Sequence, residues 1–320
     1  MKPTFPNKFP NFVSYSFVSS VMLQPPFLKP DDQIRIVSPA GTINPNYVDG
    51  AANCIHSFGF NPVSGQHAKG VFGRYSGTVD ERLSDLYNAF HNKDAKAILC
   101  SRGGYGMMQL LAQISPDVIR NNPKWVIGYS DMTAFHALMQ KNGVMSIHSP
   151  MAHHLSEKDD FFTKSLFQIL TGNIPEYSFE PHSLNREGLS CGILRGGNLS
   201  VLMALRGTPY DFEPRGTILF LEDISERPYQ VERMLLNLKL GGVLESLSGL
   251  IIGQFTDYEE DESMMKTLNE IIADVVAEYD YPVAFNFPVG HVSENYPLIC
   301  GATVELKIDK KPMLSFRLSE

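Results

Sequence analysis

The sequence predicts an α/β protein: an N-terminal Rossmann-like parallel sheet with helices on both faces, plus a smaller mixed α/β C-terminal domain. Three observations predict it. Short apolar runs alternate with amphipathic helical patterns between Ile34 and His148, the rhythm of a parallel sheet covered on both sides. Three of those runs end in polar or glycine-rich turns, Ser38–Gly41, Ser101–Gly106 and Gly128–Asp131, where sites of open parallel sheets sit. A stretch poor in periodic apolar residues, 172–188, then precedes a second set of strands and helices.

The elements follow in order. Ile34–Ser38 is a strand ending at Pro39-Ala-Gly41. Asn44 suits a helix N-cap and Pro45 its first turn, with Val48, Ala51, Ala52 and Ile55 inward. Gly59 stops that helix, and Phe60–Val63 is a second short strand. Thr78-Val-Asp-Glu81 is a capping box opening a helix with Val79, Leu83, Leu86 and Phe90 on its apolar face. Lys96–Cys100 is a strand, and the spacing of Met107, Leu110, Leu111 and Ile114 predicts a helix after Gly106. Lys124–Gly128 runs into the Ser130 turn, and Met132, Phe135 and Met139 share one face of the helix beyond; Val144–His148 is the next strand.

In the second half, Gly192–Leu199 leads into a helix with Leu199, Leu202 and Leu205. Thr217–Leu221 is a buried strand ending at Glu222-Asp223, and Pro228 opens a helix. Leu250–Ile252 is a strand, Ser263 is expected to cap a long helix, and Pro282–Phe285 is a strand leading to Gly290-His291. Thr303–Ile308 and Met313–Leu318 alternate like a hairpin. The expected units are an extension (1–27), an N-terminal domain (28–171), a linker (172–188) and a C-terminal domain (189–320). Met22 is the expected natural start, which mass spectrometry of the native N-terminus tests.

Bulk properties narrow the function. The 320 residues are 43% hydrophobic and 19% charged, an ordinary globular composition. A net charge of −8 argues against nucleic acid or an anionic membrane as main partner. No apolar run reaches the ~20 residues needed to span a membrane. Cys54, Cys100, Cys191 and Cys300 are scattered without a C-x-x-C, the pattern of reduced thiols in a cytoplasmic protein. Nucleotide-binding glycine motifs are absent, and His148, His153 and His154 lack metal-ligand spacing, so neither cofactor nor metal is expected; a polar turn accounts for the histidines. His136 is expected in a solvated or internally satisfied role.

Gly128-Tyr129-Ser130 half meets the G-x-S-x-G nucleophile elbow, because Met132 stands at its last glycine. A serine there is held at a corner where the unpaired N–H groups of the next helix point. A serine hydroxyl needs a base, and the base needs an acceptor to fix its tautomer. Glu222 and His291 stand at two other strand ends, in the order serine, acid, histidine; Asp223 and Glu226 are rival acids. The Asp131 N–H is the natural first oxyanion donor, and the Gly103-Gly104 turn offers the second. Arg102 suits either a substrate carboxylate or a structural ion pair.

Six motifs then appear in order: Ser38-Pro-Ala-Gly, Ser101-Arg-Gly-Gly-Tyr-Gly, Gly128-Tyr-Ser-Asp, Gly196-Gly-Asn-Leu, Leu221-Glu-Asp and Gly290-His-Val-Ser-Glu-Asn. Through them the chain resembles the LD-carboxypeptidases, a family of serine peptidases, from about Leu28 to Leu318. The resemblance implies a Ser130, His291 and Glu222 triad, with Asp131 and Gly104 as backbone oxyanion donors and Arg102 and Gly103 at the substrate. It implies release of terminal D-alanine from muropeptide tetrapeptides, often by a homodimer. Two alternatives are an immunity-type peptidase acting on aminoacyl-nucleotide analogues and a catalytically silent cell-wall peptide binder. The first would favour an aromatic platform for a base, and the only tryptophan, Trp125, lies in a strand expected to be buried.

Overall fold

The computed structural model describes residues 22–155 and 160–318. The expected extension through residue 21 lies outside them. Residues 22–27 lie against the first half: Leu23 N–H donates to the Gly143 carbonyl (2.7 Å), and Trp125 Nε1 donates to the Pro26 carbonyl (3.1 Å).

The first half runs β1 (Gln33–Val37), α1 (Pro45–Ser57), β2 (Asn61–Ser64), α2 (Val79–His91), β3 (Ala95–Cys100), α3 (Pro116–Asn121), β4 (Trp125–Gly128), α4 (Thr133–Lys141) and β5 (Ser146–His148). Asn44 and the Thr78 box cap α1 and α2 as their sequences predict. Two short helices follow, α5 (Ala152–Leu155) and α6 (Phe161–Leu170). β6 (Tyr177–Ser178) falls inside the expected linker. The second half runs β7 (Gly188–Asn198), α7 (Leu199–Leu205), β8 (Thr217–Ile224), α8 (Pro228–Leu240), β9 (Gly249–Thr256), α9 (Leu268–Val275), β10 (Val283–Ala284), β11 (Leu298–Cys300), β12 (Thr303–Ile308) and β13 (Met313–Arg317).

These form two sheets, ordered β11-β5-β4-β3-β1-β2 and β10-β9-β8-β7-β12-β13-β6. β1 to β5 are parallel, and β11 adds to them antiparallel, so a late strand completes the first sheet. β7 to β10 are parallel, while β12, β13 and β6 join antiparallel, giving a mixed sheet. Each sheet buries both faces. Ile34, Ile36 and Trp125 serve one core of the first sheet, Ile98 and Val126 the other. In the second sheet Leu219 and Leu221 face one core, Ile218 and Phe220 the other. Near-continuous apolar strands are the consequence.

Two expected helices differ. After Gly106 the chain makes two 3-10 turns, Met107–Gln109 and Leu111–Gln113. Apolar spacing of three and four fits both geometries, and the Met107 N–H is diverted to the Asp131 carboxylate. Ser263 belongs to a separate 3-10 turn, and α9 is capped by Thr267, whose box with Glu270 satisfies its first N–H groups.

The two sheets meet at Gly196-Gly197-Asn198. A Cβ on Gly196 would lie 1.9 Å from the Phe220 carbonyl oxygen, and one on Gly197 2.4 Å from Thr133 Oγ1. Glycine therefore lets the end of β7 close on β8 and on α4. The Asn198 N–H donates to Thr133 Oγ1 (2.9 Å), pinning the helix behind Ser130 to the second sheet.

Candidate active site

Ser130 follows β4 with φ of +63°, left-handed backbone that a non-glycine residue adopts at a cost of about 1–3 kcal/mol. The elbow is thus real although Met132 replaces its last glycine. Its space comes instead from Gly128, where a Cβ would lie 2.8 Å from Met132 Cγ. His136 braces the turn from beneath: fully buried, it donates from Nε2 to the Gly128 carbonyl and accepts the Ser146 hydroxyl at Nδ1, both at 2.8 Å. Burial holds its pKa down to about 4, so it stays neutral. The satisfied role expected for His136 is the one observed.

Gly103 lies directly over the serine. A Cβ there would stand 2.9 Å from Ser130 Cβ, 3.0 Å from Oγ and 3.1 Å from the Asp131 nitrogen. That point lies within reach of both the hydroxyl and a backbone donor, where an acyl carbonyl would sit. The Gly103 carbonyl accepts the Gly41 N–H (3.0 Å), and Gly104 takes φ of +87°. The N–H groups of Gly104 and Asp131 are not taken up by hydrogen bonds among the described residues.

The other half of the site comes from the second sheet. Glu222, at the end of β8, is fully buried, and its Oε2 accepts from His291 Nδ1 at 2.7 Å. That bond leaves Nε2 as the nitrogen available to the cleft. Gly290, with φ of +128°, permits the approach, since a Cβ there would lie 2.9 Å from Glu222 Cβ. Asn295 accepts the Gly290 N–H (3.1 Å) and closes the loop. Burial raises the Glu222 carboxyl, while the hydrogen bond and charge of His291 pull it back. Of the rival acids, Asp223 spends its oxygens on Asn198 Nδ2 (2.7 Å) and on the Ser200 N–H in the first turn of α7 (2.8 Å). Glu226 makes no hydrogen bond to His291.

Ser130 and His291 line one cleft of about 880 Å³, together with Arg102, Gly103, Gly104 and Tyr129. Ser130 Oγ has no hydrogen-bond partner among the described residues. Arg102 is exposed; its Nη1 donates to the Thr42 carbonyl (2.8 Å), and it makes no ion pair among the described residues.

Several residues here were not foreseen. The Tyr129 ring packs 4.9 Å from the His291 ring, and its hydroxyl reaches His154 Nε2 at 3.5 Å. His153 and His154 belong to a short helix rather than a turn, and both line the cleft. Tyr47 lies 4.2 Å from the His153 ring. Only their places in the fold reveal these roles. Among the described residues no group of three His, Cys, Asp or Glu is placed to hold a metal ion. All four cysteines are free: Cys100 and Cys300 are buried, Cys54 half-buried and Cys191 exposed.

Comparison with known proteins agrees with this architecture. A family model described as LD-carboxypeptidase N-terminal domain matches residues 34–149, and one described as LD-carboxypeptidase C-terminal domain matches residues 191–306. A probable murein peptide carboxypeptidase of Bacillus subtilis is 33% identical over 304 residues, 92% of this chain and 94% of the relative. The crystal structure of muramoyltetrapeptide carboxypeptidase from Oxalobacter formigenes has a TM-score of 0.82 at 29% identity, covering 89% of this chain and 98% of that one. The microcin C7 self immunity protein in complex with aspartyl sulfamoyl adenosine has a TM-score of 0.82 at 25% identity, covering 91% and 98%. With the two matches covering the turn after each of β1, β3, β4 and β8 and the loop of His291, the chain belongs to the LD-carboxypeptidase family of peptidases.

Proposed function

We propose that this protein is a serine carboxypeptidase that cuts the L,D-amide bond releasing terminal D-alanine from muropeptide tetrapeptides. The observation that carries the reading is the shared cleft: a strained, solvent-facing serine and an imidazole fixed by a buried carboxylate open onto the same space. Ser130 Oγ attacks the scissile carbonyl while His291 Nε2 takes its proton. The oxyanion rests on the N–H groups of Asp131 and Gly104. His291 then protonates the departing D-alanine nitrogen, leaving an acyl-enzyme. Water attacks that ester, its proton passing to His291 and then to Ser130. Glu222 holds the Nδ1–H tautomer and stabilises the imidazolium.

The substrate class follows from charge. No described residue lining the cleft is acidic, although the chain carries −8, and Arg102 stands at its edge. A substrate ending in a carboxylate suits that lining, and Arg102 is the residue to bind it. The muramoyltetrapeptide carboxypeptidase and the murein peptide carboxypeptidase named above point the same way. Trp125, fully buried, offers no platform for the nucleobase of an aminoacyl nucleotide. The proposal includes a cytoplasmic homodimer; among the described residues no helix is long and apolar enough to cross a membrane. Light scattering checks the dimer. The function is tested by D-alanine release from a purified tetrapeptide: wild type releases it and Ser130→Ala, folded by circular dichroism, does not. Full release by Ser130→Ala would refute the proposal.

A further inference from the structure

Two buried charged groups beneath the cleft do not face substrate, yet both grip the glycine loop above Ser130. Asp131 is 4% exposed, and its Oδ2 accepts the Met107 N–H at 2.8 Å. Arg82 is 2% exposed. Its Nη1 donates to the carbonyls of Pro39 (2.9 Å) and Gly106 (3.1 Å), its Nε to Gly77 (3.1 Å) and its Nη2 to Gln109 Oε1 (2.6 Å). The guanidinium also lies 4.8 Å above the Tyr75 ring. Gly106 is shaped around it: φ is +140°, and a Cβ would stand 2.8 Å from Arg82 Nη1. One arginine thus ties the end of the first strand's turn, through Pro39, to the end of the glycine turn, through Gly106. The Gly41 N–H bond to Gly103 fastens the same two turns further in.

A buried arginine and a buried carboxylate cost several kcal/mol to desolvate unless each is fully bonded, so a loop held only for stability could use apolar contacts. What these groups supply is a fixed height for the Gly103–Gly104 backbone relative to Ser130. We propose that the Arg82 guanidinium and the Asp131 carboxylate are positioning residues that set the oxyanion-binding backbone, so that they govern the chemical step without touching substrate. Asp131 then acts twice, its N–H at the developing charge and its side chain on the neighbouring donor's loop. The burial that pushes its carboxyl up is opposed by the N–H groups of Met107 and Gly106 and by Arg82. This inference rests on Ser130 being the nucleophile.

The test uses the full chain with Asp131→Asn, Arg82→Lys and Gln109→Ala, the last at an exposed position, where the substitution frees one arm of Arg82 and is expected to spare folding, as circular dichroism checks. Active sites are titrated with a fluorophosphonate, and kcat, KM and the inhibition constant of a peptidyl boronic acid are measured. A displaced donor costs about 10- to 100-fold, so Asp131→Asn and Arg82→Lys should lose that much kcat per titrated site. The boronate inhibition constant should rise by a matching factor while KM changes less than about threefold, with Gln109→Ala showing a smaller loss of the same kind. A purely structural role would lower the melting temperature and the number of titrated sites, leaving kcat per site and boronate affinity unchanged. That pattern in the folded variants, Gln109→Ala included, would overturn the lock. Full activity in Ser130→Ala would instead remove the nucleophile reading beneath it.

Discussion

The two sides of the cleft are built in different ways. On the first sheet the corner at Ser130 is shaped by backbone: a left-handed serine, a glycine pressed against it and a turn whose carbonyl His136 braces. On the second sheet the proposed working parts are side chains, Glu222 and His291, brought from positions 69 residues apart by β8 and by the loop after β10. The serine corner itself is set by local sequence, and the Glu222–His291 pair by packing. Backbone sites fail when volume is added, whereas side-chain sites fail when a hydrogen-bonding atom is removed.

Substitutions that separate these failure modes sharpen the contrast. Glu222→Gln keeps the shape but removes the charge that stabilises the imidazolium, and should lower kcat about 10³- to 10⁴-fold with folding intact. Steady-state kinetics and circular dichroism check it; a loss below tenfold would reassign the acid. Gly103→Ala adds one methyl at the point 3.0 Å from Ser130 Oγ and 3.1 Å from the Asp131 nitrogen. It should lower kcat/KM by about 100-fold or more, with little change in Tm. Asp223→Asn should do the reverse. It weakens the first turn of α7 by about 1–2 kcal/mol while kcat stays within a fewfold, as thermal unfolding and kinetics on the same sample would show.

The last effect is on stability rather than rate, a pH slope. His136 and His148 are both fully buried, and burial holds both pKa values below the ordinary 6.5. The unfolded chain therefore binds more protons as pH falls through that range. Stability from both groups is complete above about pH 6.5 and is lost as pH falls below it, by about 1 kcal/mol per pH unit for each; for His136 the loss runs down to about pH 4. Urea unfolding at pH 7 and pH 5 should show the decline, and a flat profile would contradict it. His148→Leu should reduce the slope, because it removes one titrating imidazole, and among the described residues neither ring nitrogen has a hydrogen-bond partner to lose.

Much of this was legible in the sequence because its causes are local. Apolar period, the Asn44 and Thr78 caps and glycine turns placed β1 to β5 and the Ser130 elbow near their observed positions. Long-range pairing was not legible. β11 is three residues long and joins β5 from about 150 positions away, which no periodicity encodes. The strand inside the expected linker, β6, is two residues long. The 3-10 turns after Gly106 depend on Asp131 capturing a backbone N–H, an event a helical pattern cannot express. The start of α9 was readable, since Thr267-Leu-Asn-Glu270 is itself a capping box. At the site, the motifs singled out Ser130, Glu222 and His291, with Asp223 as a rival acid; packing puts Glu222 rather than Asp223 on His291 and Tyr129 against it.

The claim on which the rest depends is that a serine from one sheet and an imidazole from the other act as one catalytic unit. A double-mutant cycle on D-alanine release, with Ser130→Ala, His291→Ala and the double variant, tests it most directly. The prediction is that either single variant loses about as much kcat as the pair, because each disables the same step. Losses that multiply in the double variant would show two independent contributions and contradict the account.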